Sequence, residues 1–361
     1  MRISHQRPTP AIRDVVCGLV RYISGGGQED ALAGYLPPGS RQWVSSGRHG
    51  IELALRQIPR KRVLLPAFTC EVVLDACRRA GKDIIFVDSG VLLDIPAFRK
   101  AAAKNKRSAL VLPYNFGFLP DMGKVTAICK KYDITLVEDC CQALGATWKG
   151  KAAGSFGEYA VYSFGISKNI GYANGMVVGA RQIPEGGGKY PLPRAITDLL
   201  QGLLNPVFFH PAAYPMTEPL LAMRLGHEHQ AMQYRDSGLG RAIVLQQAGR
   251  YAEIMRTRKE NAAYCLKELK GIIDFAEQGQ GEPAWLYFVL LHPHAGELRQ
   301  ELRRRGVDVR PLHSFRDLSG KGKLAKQAEQ HLAFSLYRSR GELEIIVKQI
   351  KEALTLETPW R

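Results

Sequence analysis

RVLLPAFTCEVVLDACRRAGKDIIFVD, residues 62–88, reads as strand, helix, strand. Its ends, RVLLP and DIIFVD, are short unbroken apolar runs, and the stretch EVVLDACRRAG between them carries apolar residues at helical spacing. The same beat continues downstream. PAFRKAAAKN reads as a helix, SALVLP (108–113) as a strand, MGKVTAICKKY as a helix and ITLVED (134–139) as a strand. Strands that alternate with helices in this way build β-α-β units with right-handed crossovers, which predicts an α/β fold with a mainly parallel sheet covered on both faces. YAVYSF (159–164) and GMVVGA (175–180) complete a seven-strand-like set, so a mainly parallel seven-stranded sheet is expected. Such sheets bind ligands beyond the carboxyl ends of their strands. Residues 66–70, Asp88, residues 113–117 and residues 138–142 therefore mark the expected site.

Beyond residue 180 the rhythm changes. Residues 181–230 are rich in Pro and Gly and hold the apolar stretch LLQGLLNPVFFHPAAYPM, in which Pro206 and Pro211 argue against a single helix. This stretch is expected to be an insertion that packs on a partner subunit or shields the active site, with membrane-surface contact as the lesser alternative. From residue 241 a long helical pattern leads into a smaller α+β region containing the strand WLYFVLL and the helix HAGELRQELRRRG. The expected division is a large domain over residues 1–250, including an N-terminal segment 1–40, and a small domain over 251–361.

Composition sets the outer bounds. A chain of 361 residues, 45% hydrophobic and 23% charged, buries a core without disulfides or metals. Its seven cysteines form no CxxC pair, so neither a zinc site nor a disulfide framework is indicated. Fifty basic against thirty-four acidic residues gives +16. The surplus is diffuse, +10 in residues 1–240 and +6 in 241–361, which does not point to nucleic acid but suits phosphorylated small substrates. The apolar part of the N-terminus is cut by Arg13, Asp14 and Arg21, so no signal-peptide core is expected and the cytoplasm is the expected location.

ITLVEDCCQALGATWKGKAAGSFGEYAVYSFGISKNIGYANGM, residues 134–176, carries the chemistry. Asp139 closes a strand, Gln142 follows three residues later, and Lys168 ends a Ser-Phe-x-x-x-Lys run 29 residues after Asp139. A carboxylate at a strand's carboxyl end and a lysine on the following strand-loop can both point into one crevice. Pyridoxal phosphate enzymes use such a pair: the lysine bonds the cofactor's aldehyde, and the carboxylate keeps the ring nitrogen protonated. Taken singly, Asp139 reads equally as a helix cap and Lys168 as a surface lysine. Their combination decides for the site.

The segment resembles the DegT/StrS family of sugar aminotransferases, which share the aspartate aminotransferase-like fold type I. The family's V-E-D-x-A-Q-x-x-G element is similar to residues 137–145 here, and its G-S-F-G and S-F-x-x-x-K-N elements to residues 154–157 and 163–169. The resemblance implies pyridoxal phosphate as cofactor, Lys168 as the catalytic residue bonded to it, Asp139 at its ring nitrogen, Gln142 over its ring and Ser163 at its phosphate. It continues through Ser46 to Leu55, whose helix start would place Gly47 and Arg48 at the phosphate, and through PAFT (66–69) and PDM (120–122). Met232-Gln233-Tyr234-Arg235 resembles an element whose amide reaches the phosphate of the next subunit, implying a homodimer with Gln233 in that role. Candidate substrate contacts are Tyr114, Asn169, Arg310 and His313.

Three positions depart from the family's pattern. Cys70 stands where an aromatic residue usually stacks on the ring, Tyr114 where His is frequent, and Gln233 in place of Asn. The implied reaction moves an amino group, from an amino-acid donor such as glutamate, to a keto-sugar acceptor that is nucleotide-linked. Related sugar dehydratases carry His at the lysine position, so Lys168 argues for amine transfer. A non-catalytic basic protein on the same fold, binding a membrane surface or nucleic acid, is the alternative that Lys168 opposes.

Overall fold

The computed structural model describes residues 2–6, 10–25, 31–179, 181, 187–218, 234–312 and 314–355. Two of the sequence-derived positions, Gln233 and His313, lie outside the described residues. In chain order the larger part contains α1 (Ile12–Ile23), β1 (Ser40–Val44), α2 (Gly47–Gln57), β2 (Arg62–Pro66), β3 (Phe68–Cys70), α3 (Glu71–Arg79), β4 (Asp83–Val87), α4 (Ile95–Lys104), β5 (Ala109–Pro113), α5 (Met122–Tyr132) and β6 (Thr135–Asp139). A small hairpin, β7 (Thr147–Trp148) and β8 (Lys151–Ala152), leads to β9 (Tyr159–Ser163) and β10 (Gly175–Gly179), followed by α6 (Leu192–Phe208) and α7 (Gly238–Ala248). The rest comprises α8 (Tyr251–Leu269), β11 (Asp274–Phe275), β12 (Tyr287–Leu291), α9 (Ala295–Arg304), β13 (Phe315–Asp317), α10 (Lys323–Glu329), β14 (His331–Ser335) and α11 (Arg340–Thr355).

Seven strands form one sheet in the order β1-β10-β9-β6-β5-β2-β4. Five neighbours run parallel, and only β10 is reversed, pairing antiparallel with both β9 and β1. The strands expected from residues 62–180 form as read. The seventh, β1, was not among them. Its sequence SRQWV is polar and only partly buried, because it sits at the sheet edge and lacks the apolar run of a central strand.

Side chains alternate between the two faces. Val63 and Leu65 point into a core with Ile51, Leu55 and Val73 of α2 and α3, whereas Leu64, Leu110 and Leu136 point into the opposite core with α4, α5 and α7. Burial on both sides explains why these strands read as unbroken apolar runs. The C-terminal part packs β12 between β11 and β14 against α9 and α11, and its core also takes in Phe68, Phe116 and Phe118 from the larger part. α8 runs from Tyr251 in one core to Leu269 in the other.

Two local readings are corrected. Pro206 lies inside α6 rather than ending it, although, as expected, the stretch is not one helix: α6 stops at Phe208, and Pro211 lies in the turn before helix resumes at Tyr214. Pro206 falls in the last turn, where the missing N–H removes one hydrogen bond, and the amide of Phe209 caps Asn205 and Val207. The long helix expected from residue 241 is two helices, α7 and α8, broken at Gly249-Arg250. Arg250 turns there to pair with Asp14, which is 4% exposed, and to donate to the Tyr337 hydroxyl at 2.8 Å.

Candidate active site

A cavity of about 460 Å³ opens at the carboxyl ends of the parallel strands. Asp139 reaches it from the end of β6, Ser163 from the end of β9, and Lys168 from the loop that follows. Gly47 and Arg48 border it from the first turn of α2, and Thr69 and Cys70 from β3. Gln142 lies on its wall.

The α2 end is built for close approach. Ser46 caps the helix by accepting from the His49 amide at 3.2 Å. A Cβ at Gly47 would fall 2.6 Å from Cys141 Sγ and 2.9 Å from Ser163 Cβ, so only glycine lets the helix start sit against β9. The positive end of the helix dipole thus meets the Ser163 hydroxyl, a pairing that favours an anion. Arg48 stands beside it, 3.6 Å from Asp75.

At the other side, Asp139 is 6% exposed and accepts from the Cys141 amide at 3.0 Å. Burial pushes its carboxyl above the usual range, opposed by hydrogen bonding from Cys141 and by the positive charge of Lys168. A cationic or donating group placed against it would restore the carboxylate.

The Lys168 loop is clamped from four directions. Its own amide donates to Gly165 O at 2.9 Å, the Tyr287 hydroxyl to Ser167 O at 3.2 Å, Arg258 to Asn169 O at 2.9 Å, and Gln247 pairs with both N and O of Gly171. Tyr287, Arg258 and Gln247 were not legible as site residues, because each lies about 80 residues or more from the lysine and carries no motif. Gln142 holds the opposite wall: its Oε1 accepts from the Phe116 amide at 2.6 Å and pins that residue at a φ of 59°.

The candidate substrate contacts fall out differently. Asn169 does not line the cavity; it is 2% exposed and its carbonyl is taken by Arg258. Tyr114 lines the cavity, but its hydroxyl turns away to Glu138 Oε2 at 2.6 Å. Arg310 also lines it, with its guanidinium held by Asp308, by Glu218 at 3.3 Å and by the Tyr214 hydroxyl at 2.8 Å. His5 completes this cluster, its Nδ1 3.1 Å from Asp308. Burial, reinforced by the charge of Arg310, lowers the His5 pKa to about 4, while for Asp308 the hydrogen bonds from His5 and Arg310 and the Arg310 charge outweigh burial and hold it well below the usual carboxylate range.

The insertion contributes to the wall from within the same chain. Tyr190 and Arg194 line the cavity with Tyr234, and the Tyr190 and Tyr234 rings meet edge to face at 6.1 Å. Of the two expected roles for this stretch, shielding the site is the one these contacts serve. Cys70 also faces the cavity, and its backbone pairs with Phe315 of β13, which brings an aromatic ring from the C-terminal part to the same wall.

Comparison with known proteins yields a match to a family model and a shared fold. Residues 28–181 match the model of the DegT/DnrJ/EryC1/StrS aminotransferase family. A pleiotropic regulatory protein of Geobacillus stearothermophilus is 34% identical over 139 residues, 37% of this chain and 37% of that protein. UDP-N-acetyl-3-dehydro-alpha-D-glucosamine 3-aminotransferase of Acidithiobacillus ferrooxidans is 34% identical over 144 residues, 38% of this chain and 39% of that protein. The matches span less than two fifths of these curated relatives. The structure of PseC from Helicobacter pylori, an aminotransferase involved in the biosynthesis of pseudoaminic acid, shares the fold with a TM-score of 0.76 at 15% identity, over 98% of this chain and 99% of that one.

Proposed function

We propose, from the match of residues 28–181 to the DegT/DnrJ/EryC1/StrS aminotransferase family model, that this chain is a pyridoxal phosphate-dependent aminotransferase that moves an amino group from glutamate to a nucleotide-linked keto sugar in amino-sugar synthesis. The observation that carries the reading is the meeting of Lys168 and Asp139 in one cavity, opposite a helix start where only glycine fits.

The residues present fit the cofactor. Its phosphate would be held by Gly47, Arg48 and Ser163, where the helix end favours an anion, and its ring nitrogen by Asp139, a buried carboxyl whose charge Lys168 favours. Bound there, pyridoxal phosphate supplies the electron sink that stabilises a carbanion and the carbon that carries nitrogen between donor and acceptor. Lys168 supplies the amine that bonds it and, once released, moves a proton at Nζ to and from the reacting carbon. Asp139 holds a proton at the ring nitrogen. The clamped loop fixes where Nζ can reach, and Tyr190 and Arg194 keep water from that side of the cavity.

The direct test is optical and chemical. The purified protein should bind pyridoxal phosphate with a visible band that disappears on adding glutamate, and the glutamate-treated protein should then aminate a member of a nucleotide keto-sugar panel. An unchanged spectrum with every amino donor would defeat the proposal.

The chain is further proposed to act in the cytoplasm as a homodimer with shared sites, on the resemblance of residues 232–235 to the element that crosses between subunits. Light scattering of the cofactor-loaded protein should give about twice the 40.1 kDa chain mass. A loaded monomer would remove this part of the proposal.

A further inference from the structure

Two helices share an outer face that nothing described in the chain covers. α1 and α6 pack side by side, and a Cβ at Gly202 of α6 would meet Val15 Cγ2 of α1 in ordinary contact at 3.4 Å. Val15, Leu19, Leu199 and Leu203 turn inward to the core. The opposite sides are apolar as well. Along α1, Ile12, Val16, Val20 and Ile23 are exposed at spacings of four, four and three; along α6, Leu192, Ile196, Leu200, Leu204 and Val207 are exposed at four, four, four and three. With Tyr22 and Met216, this face holds eleven of the fourteen exposed large apolar side chains among the described residues. Such a concentration marks an interaction surface.

Charge selects the occupant. On these helices and the turn before α6, the exposed charged side chains among the described residues are Arg13, Lys189 and Arg194, with Arg21 partly exposed. Of the two acids, Asp14 is buried against Arg250, and Asp198 is half-buried and accepts from the Tyr190 hydroxyl. An isologous contact between two copies would bring Arg13, Arg21 and Lys189 against the same cations of the other copy, in a chain already at +16. We infer that the α1–α6 face docks on an anionic lipid surface. Apolar stripes flanked by cations lie in the plane of such an interface, with the side chains of the stripe among the upper acyl carbons. No described helix is long and apolar enough to cross a membrane, which fits a helix that lies on one. The inference is independent of the proposed reaction, although α6 begins at the cavity wall and so would hold that rim beside the lipid.

Flotation of the cofactor-loaded protein with vesicles tests it. Vesicles of phosphatidylglycerol and phosphatidylcholine should carry the protein at 0.1 M salt, and pure phosphatidylcholine at least tenfold less. The double variant Ile196→Glu, Leu200→Glu should lose at least tenfold of the binding while keeping its melting temperature, since both side chains are exposed. Arg13→Glu should weaken binding and its salt dependence without changing the apolar face. Equal binding to both vesicle types, or undiminished binding by the double variant, would overturn the inference. So would wild-type protein that ignores vesicles and a double variant that halves in mass by light scattering, which would assign the face to a second copy.

Discussion

Lys168 and Asp139 were singled out by residue type and spacing, both of which a sequence displays, and the fold brings them to one cavity. Lys168→Ala should fold with the wild-type melting temperature yet give no borohydride-trappable cofactor and no amine transfer; trapping on another lysine, such as Lys149 or Lys151, would move the site. Arginine in its place should fail equally, since a guanidinium does not lose its proton to become a nucleophile. Asp139→Asn should retain cofactor but lose on the order of 10²-fold or more in turnover, because an amide cannot hold the proton at the ring nitrogen. Stopped-flow absorbance with glutamate measures it, and near wild-type rates would mean the carboxylate has another task. Asn169 shows the limit of spacing alone. It adjoins the lysine in sequence, but the clamp from Arg258 turns it inward.

Elements explain residues that motifs leave silent. Glu138, next to Asp139 on β6, points to the other face of the sheet, as alternation requires. It is fully buried and accepts four hydrogen bonds: from the Tyr114 hydroxyl at 2.6 Å and from the amides of Gly154, Phe156 and Gly157 at 2.7, 2.6 and 2.5 Å. The G-S-F-G run is thus wrapped around a carboxylate, and Tyr114 serves as its fourth donor. Glu138→Gln should cost about 3 kcal/mol or more, since the new NH₂ would face donors in a dry pocket. A urea midpoint unchanged from wild type would contradict this. Central strands were legible because burial on both faces writes an apolar run, whereas edge strand β1 and the proline in α6 were not. Their placement depends on neighbours far away in sequence.

At the scale of the molecule, the site is closed by segments from both ends of the chain. Residue Ile3 pairs parallel to Val307, the Ser335 amide donates to His5 O at 2.8 Å, and Arg338 donates to Ser4 O at 3.0 Å. Sequence patterns carry no trace of pairs separated by some 300 residues, so the cluster of His5, Asp308 and Arg310 was found only in the fold. It carries a pH dependence. The unfolded chain protonates His5 near its ordinary 6.5, the folded one only near 4. Between those values the unfolded state holds more protons, so stability falls as pH falls, with a slope approaching about 1.4 kcal/mol per pH unit. His5→Gln should flatten that slope between pH 6.5 and 4, as read from urea midpoints; an unaltered slope would assign it elsewhere. The strap formed by residues 2–6 also orders events during synthesis. The strand and turn that receive these residues, up to Arg338, leave the ribosome some 300 residues after them. At about 5–20 residues per second, the cavity wall stays unfinished for tens of seconds after its opening residues emerge, and during that interval the nascent chain exposes apolar surface that a chaperone would recognise.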